Sequence, residues 1–135
     1  MPAFFSSESY EPTHLANEAA KLREACPQFA AWAKGNGVIL HSDLTQLRVA
    51  QLLNEQEAKG KSRQEVLQLL EAADQLANAA KWLVVHATYT KKVNLDGSPY
   101  TAEDFKADPQ GHTGGSLNMV PAYIGYLLAN LLSGH

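Results

Sequence analysis

The sequence has little of the features that mark several specialised classes of protein. It contains one cysteine, Cys26, so no disulfide can form within the chain, and a reducing compartment suits it best. Charged residues make up 19% of the chain and the net charge is -3, so no basic surface points to nucleic acid. No run approaches the roughly 18 apolar residues that a membrane-spanning helix needs. The first residues lack the pattern of a secretory signal, and we expect a cytoplasmic protein.

The composition is otherwise that of a folded domain. The chain has 135 residues, of which 45% are hydrophobic. A chain of this length usually buries about two-thirds of its unfolded surface, so a hydrophobic core is possible. Apolar residues recur mostly at spacings of three and four, which is the helical period. The sequence therefore predicts a mainly α chain with four or five helices.

The spacing of apolar residues and turn formers divides the chain into four segments. We expect an N-terminal tail over residues 1–12, a helical region over 13–87, a loop over 88–115 and the start of a further helix over 116–135. Pro27 interrupts the first apolar stripe of the helical region, which predicts either a kink or two short helices.

Local signals mark the ends of the helices within the helical region. Ser42 or Asp43 is expected to cap the second helix. Residues Ser62-Arg63-Gln64-Glu65 match a capping box, after which a long helix is expected to continue to about Ala87. The apolar run Val38-Ile39-Leu40 is too short to distinguish a strand from a loop.

One motif near the end of the chain stands out. His112 lies among three glycines, Gly111, Gly114 and Gly115, and an apolar helical pattern follows at once. Glycines allow a tight turn or a close approach to a ligand, and a helix N-terminus offers free N–H groups and a positive dipole end. Such a loop can hold an imidazole over an anionic or hydroxyl-rich ligand. The alternative is a surface histidine in a flexible turn.

The same region resembles a known family. Gly111-His112-Thr113-Gly114, Met119-Val120-Pro121 and the aromatic helix Tyr123-Ile124-Gly125-Tyr126 are similar to the opening of the thiamine diphosphate domain of transketolases. The Gly-His-Trp-Gly loop of phosphoketolases is equally similar. The helical region over 13–87 resembles the phosphoketolase-like subgroup that acts on xylulose 5-phosphate, some members of which are labelled epimerases.

The resemblance implies a fold, a role for each motif residue and a set of ligands. His112 would be a catalytic residue that lines the active site and contacts the sugar phosphate, while Gly111 and Gly114 would allow the backbone to approach the cofactor. Thiamine diphosphate and magnesium are the cofactors of the complete family. The chain would be the N-terminal helical segment of an α/β thiamine diphosphate-binding fold.

The sequence also departs from the family pattern. Gln110 and Thr113 stand where transketolases have serine and proline, and phosphoketolases have tryptophan in place of Thr113. The 135 residues contain no Gly-Asp-Gly segment to hold the cofactor diphosphate and the metal. We therefore expect the isolated chain to bind no cofactor and to lack catalysis, and activity to require a complementing polypeptide.

A non-enzymatic alternative stays open. The chain would then be a small helical module that binds a partner chain, with the glycine loop as a connector. In either case the apolar face of the last helix needs cover, so we expect association with a partner or a second copy.

For the remaining polar and aromatic candidates we favour a structural role. His86 is either a second imidazole near the site or a helix-end histidine favoured by the dipole. His14 and Glu18 lack a third metal ligand at a recognised spacing. His41 is interpreted as a loop residue, and Trp32 and Trp82 as core or interface residues. Lys91 and Lys92 are interpreted as solvated lysines and Asp96-Gly97 as an ordinary turn. Ser116 is interpreted as a helix cap and Asn118 as a residue of the first helical turn.

Overall fold

The computed structural model describes residues 11–134 and is mainly helical over that range. Its five α-helices are α1 (Pro12–Ala25), α2 (Pro27–Ala33), α3 (Asp43–Ala58), α4 (Arg63–Tyr89) and α5 (Thr113–Ser133). A 3₁₀ turn, Ala102–Asp104, lies between α4 and α5. The described part contains no strand, and its β-type pairings are isolated bridges. The predicted mainly α class is confirmed.

Most of the predicted N-terminal tail, residues 1–10, lies outside the described residues. Val38-Ile39-Leu40 does not form a strand. Ile39 makes only an isolated bridge to Asn36, because the chain reverses direction between these two residues.

The chain forms two compact units that divide after Asp74, within α4. The first unit contains α1, α2, α3 and the first part of α4. The second contains the rest of α4, the 3₁₀ turn and α5. The apolar pattern of α4 continues across the division, so sequence spacing does not reveal it.

In the first unit, α1 packs against α2 and α3. Its buried apolar side chains come from all four helices: Ala19, Phe29, Trp32, Ala33, Val49, Leu53, Val66, Leu67, Leu70 and Ala73. Pro27 is the first residue of α2, where a missing N–H and a fixed φ suit a helix start. Cys26 before it is extended and ends α1. Of the two alternatives at Pro27, two helices is correct.

The predicted caps of α3 and α4 are present. The Thr45 N–H donates to Ser42 Oγ at 3.2 Å, which makes Ser42 the cap of α3. The Ser62 N–H donates to Glu65 Oε2 at 2.9 Å, and the Glu65 N–H donates to Ser62 Oγ at 3.2 Å. The hydrogen bonds that the Ser62 N–H and hydroxyl donate to the Glu65 carboxylate hold the pKa of Glu65 below its ordinary value. Local sequence rules are sufficient here because both partners of each cap lie within one turn.

The last helix begins earlier than predicted. It starts at Thr113 with His112 as its N-cap residue, and the Ser116 N–H donates to the His112 carbonyl at 3.0 Å. Ser116 is therefore inside the helix, and the prediction that it caps the helix is wrong. Gly114 and Gly115 adopt helical backbone despite their low helix propensity.

Among residues 11–134, no helix combines the length and the hydropathy that crossing a membrane requires.

Candidate functional site

The end of α4 holds the segment that carries His112. The Thr113 hydroxyl donates to Thr88 Oγ1 at 3.1 Å, and the Thr88 hydroxyl donates to the Val84 carbonyl at 2.9 Å. Gly111 lies against the same threonine, since a Cβ placed on it would be 3.6 Å from Thr88 Oγ1. Thr88 is thus the point on α4 to which the histidine loop is attached. Thr113 therefore has a structural role that depends on its hydroxyl.

The two glycines singled out with His112 differ in what their backbone requires. Gly111 has a φ of +138°, a conformation that side chains rarely adopt. Gly114 is helical, and a Cβ placed on it would meet no atom within 4 Å. The turn therefore explains why residue 111 is glycine. At position 114 neither the backbone conformation nor a neighbouring atom requires glycine.

His112 is exposed and lies at the start of α5. Its side chain makes no capping hydrogen bond. The imidazole instead lies over Gly115, because a Cβ placed on Gly115 would be 2.5 Å from Nδ1 of His112. The first three N–H groups of α5 have no carbonyl partner within the helix. The arrangement presents an imidazole beside a helix N-terminus, a geometry suited to a hydroxyl or anionic group.

The segment before the loop is fixed to the end of α4 by backbone hydrogen bonds. The Lys91 N–H donates to the Asp104 carbonyl at 2.8 Å, and the Lys106 N–H donates to the Tyr89 carbonyl at 3.0 Å. The Lys106 ammonium donates to the Ala87 carbonyl at 2.7 Å, where a cation complements the negative end of the helix dipole. These contacts return the chain to α4 before it enters the histidine loop.

Lys91 and Lys92 have structural partners. The Lys91 ammonium donates to the Glu103 carbonyl at 2.8 Å. The Lys92 ammonium pairs with Asp104 at 2.9 Å. A hydrogen bond from the Thr101 backbone and that lysine lower the pKa of Asp104. Both lysines bind the 3₁₀ turn, so they are not merely solvated.

Other residues of the second unit also take structural positions. His86 lies between two aromatic rings. Its ring centroid is 5.6 Å from that of Trp82 and 5.2 Å from that of Tyr100. The Ser98 N–H and hydroxyl donate to Asp96 Oδ1, which closes the predicted turn and lowers the pKa of Asp96. The ring contacts place His86 in a row of aromatic rings.

Sequence reasoning missed a buried pair in the first unit. His41 Nε2 and Asp74 Oδ2 are 2.7 Å apart, and only 5% and 19% of their side chains are exposed. The His41 ring stacks on Trp32 with centroids 4.1 Å apart. Burial raises the pKa of Asp74, and the charge and hydrogen bond of His41 oppose that rise. His41 is therefore in the loop before α3, as predicted, but its side chain is buried. The only sign of this pair in the sequence is the carboxylate Asp74, which follows Ala73 of the apolar stripe of α4.

The described residues do not build a site for magnesium and a diphosphate. Over residues 11–134, no three histidine, cysteine, aspartate or glutamate side chains are grouped to hold a metal ion. A cleft of about 260 Å³ lies between α1 and α3 in the first unit, and its lining combines four leucines with polar residues that include His14 and Glu18. The described residues therefore do not fit thiamine diphosphate and its metal as a complete site. They offer one exposed imidazole at a helix start.

Comparison of the chain with protein-family models, with curated proteins and with solved structures found no match.

Proposed function

We propose that this chain supplies the substrate-facing histidine loop of a thiamine diphosphate-dependent enzyme that processes ketose phosphates. The enzyme would be of the phosphoketolase or transketolase type and would act on a substrate such as xylulose 5-phosphate. The observation that supports this most is the presentation of His112. Its imidazole is exposed at the start of α5, on a loop that Gly111 turns and Thr88 anchors.

The role proposed for His112 follows from its chemistry. An imidazole can donate or accept a hydrogen bond at a sugar hydroxyl as charge develops there, and such assistance typically contributes about 100- to 10,000-fold in rate. The anchored loop limits the freedom of the backbone that carries the ring, which reduces the entropy lost when a substrate is oriented. Since the described residues do not fit the metal and diphosphate, their site would be built by a complementing polypeptide. The isolated chain is then inactive, and the activity is cytoplasmic.

The first experiment reads the coding sequence that adjoins this chain and expresses the two parts together. We expect a Gly-Asp-Gly segment there, and consumption of xylulose 5-phosphate that requires added thiamine diphosphate and magnesium. Acetyl phosphate formation from added inorganic phosphate would identify a phosphoketolase, and transfer to ribose 5-phosphate would identify a transketolase. Inversion at C3 without the cofactor would instead identify an epimerase.

His112→Gln is expected to lower kcat/KM of that reconstituted enzyme by about 100-fold or more. His14→Gln, an exposed histidine on α1, is the matched control and should leave kcat/KM unchanged. Full activity of His112→Gln would contradict the role of His112. An unrelated adjoining sequence without cofactor-dependent activity would contradict the proposed enzyme.

A second function, a non-catalytic interaction module, is favoured by the surface of α5. The sequence Thr113–Ser133 contains no charged residue, although a helix facing solvent normally carries several. Tyr123 and Tyr126 are 67% and 74% exposed, and Met119, Leu127 and Leu131 are also exposed. A large exposed apolar surface of this kind is typical of protein–protein contacts.

For this second function we expect the chain to self-associate through α5. The double variant Tyr123→Lys, Tyr126→Lys should be monomeric in light scattering at concentrations where the unmodified chain is not, because burying two ammonium groups in an apolar contact is unfavourable. Asn118→Lys adds a charge at another exposed position on the same helix and serves as the control. A chain that is monomeric at every concentration would contradict self-association.

A further inference from the structure

We infer that Gly115 is the positioning residue for the His112 imidazole. This inference rests on the proposed function of His112 and assigns to a second glycine the task of setting where its ring lies. The geometry that carries it is the approach of the ring to the Gly115 Cα.

The ring occupies the space that a side chain at position 115 would take. A Cβ on Gly115 would lie 2.5 Å from Nδ1, 3.3 Å from Cε1 and 3.7 Å from Cγ of His112. Real Cβ atoms essentially never approach other atoms within 3.0 Å. The observed position of the ring is therefore available only when residue 115 is glycine. The other two ring atoms, Nε2 and Cδ2, form the edge farther from Gly115.

The backbone gives no other reason for glycine at this position. Gly115 lies in the first turn of α5 and is not among the glycines with positive φ. Glycine weakens a helix relative to alanine, so a helical glycine that a side chain covers is explained best by that side chain. Gly114, its neighbour in the same turn, has open space around it.

An alanine at position 115 should displace the ring and leave the helix intact. The atoms that it would meet belong to the free end of a side chain, which can rotate away. Moving Nδ1 from 2.5 Å to an ordinary contact distance shifts it by about 1 Å, and a misplacement of that size can cost about 100-fold in rate.

The decisive measurement is NMR on the isotope-labelled 135-residue chain. We expect nuclear Overhauser effects between the His112 ring protons and the Gly115 Hα protons in the unmodified chain. These effects should keep their intensity in Gly114→Ala. In Gly115→Ala the ring moves aside, so the effects to the Hα of residue 115 should weaken and effects to the new methyl group at position 115 should appear. Helical circular dichroism and Tm should be unchanged or raised in both variants. Absence of the effects in the unmodified chain, or effects to the Hα of residue 115 of unchanged intensity in Gly115→Ala, would overturn the inference. So would a Tm of Gly115→Ala well below that of Gly114→Ala, because the backbone would then be what yields.

A second arm uses the reconstituted enzyme. Gly115→Ala should lower kcat/KM by about 100-fold, whereas Gly125→Ala, a helical glycine of α5 with open space around it, should not. Unchanged kcat/KM in Gly115→Ala, with His112→Gln impaired, would overturn the positioning role. If His112→Gln is fully active while the NMR pattern is as expected, the proposed function fails and the placement of the ring by Gly115 stands.

Discussion

Gly35→Ala is expected to lower the free energy of unfolding by roughly 2–5 kcal/mol. Gly35 has a φ of +75°, and a Cβ on it would lie 2.1 Å from the backbone carbonyl oxygen of Ile39. The left-handed conformation alone costs an alanine about 1–2 kcal/mol. Relieving the overlap requires a movement of the backbone, and overpacking of this kind typically costs about 1–3 kcal/mol more.

Gly60→Ala is the matched control for this prediction. Gly60 also has a positive φ, +89°, but a Cβ there would meet no atom within 4 Å. Its expected loss is therefore about 1–2 kcal/mol, which is the conformational part alone. Urea unfolding followed by tryptophan fluorescence measures both variants. Equal losses in the two would show that Ile39 does not approach Gly35 as described.

The reason for the difference lies in what Gly35 allows the chain to do. The Gly35 N–H donates to the Trp32 carbonyl at 2.9 Å, and the Ile39 N–H donates to the Asn36 carbonyl at 3.0 Å. The close approach at Gly35 lets the chain reverse, and His41 is then placed on the ring of Trp32. The sequence Gly35-Asn36-Gly37 predicts the end of a helix, but it does not predict this return, which depends on contacts through space.

The features that could be predicted from sequence are those with local causes. Pro27 marks the break between α1 and α2, and Ser62 with Glu65 marks the start of α4, because each signal and its effect lie within one turn. The start of α5 was placed too late because glycines usually indicate a loop. In the structure Thr113 is held by a hydroxyl on α4, and the helix includes Gly114 and Gly115.

The candidate site divides in the same way. The glycine loop around His112 is a local pattern and was recognised, whereas the anchoring by Thr88 joins residues distant in sequence and could not be read from spacing. The sequence also does not predict that Gly115 makes room for the His112 ring. A glycine that accommodates a ring looks the same in sequence as a glycine that forms a turn, and only the ring's direction separates them.

His41→Ala is expected to lower the free energy of unfolding at pH 7 by about 1–3 kcal/mol, the usual loss when a mostly buried polar group loses its partner. The variant leaves the Asp74 carboxyl facing the core without its partner and removes the ring stacked on Trp32. Chemical unfolding at pH 7 checks the magnitude. The control is Ser42→Asn, which changes the next residue and retains a side-chain oxygen for the cap of α3. A loss no larger than that of the control would contradict the pair.

The pH dependence of this variant separates the carboxylate from simple loss of packing. Burial, with a smaller contribution from Glu71, raises the pKa of Asp74, and His41 opposes that rise. Without His41 the pKa of Asp74 in the folded state rises further. As the pH rises above about 3.8, the ordinary pKa of an aspartate, the unfolded chain releases this proton while the folded variant keeps it. The unfolded state then binds fewer protons, and stability falls as pH rises from about 4 through the folded-state pKa. The double variant His41→Ala, Asp74→Asn carries no carboxyl at this position and should lack the fall. Parallel pH profiles for the single and double variants would show that Asp74 is not the group that titrates.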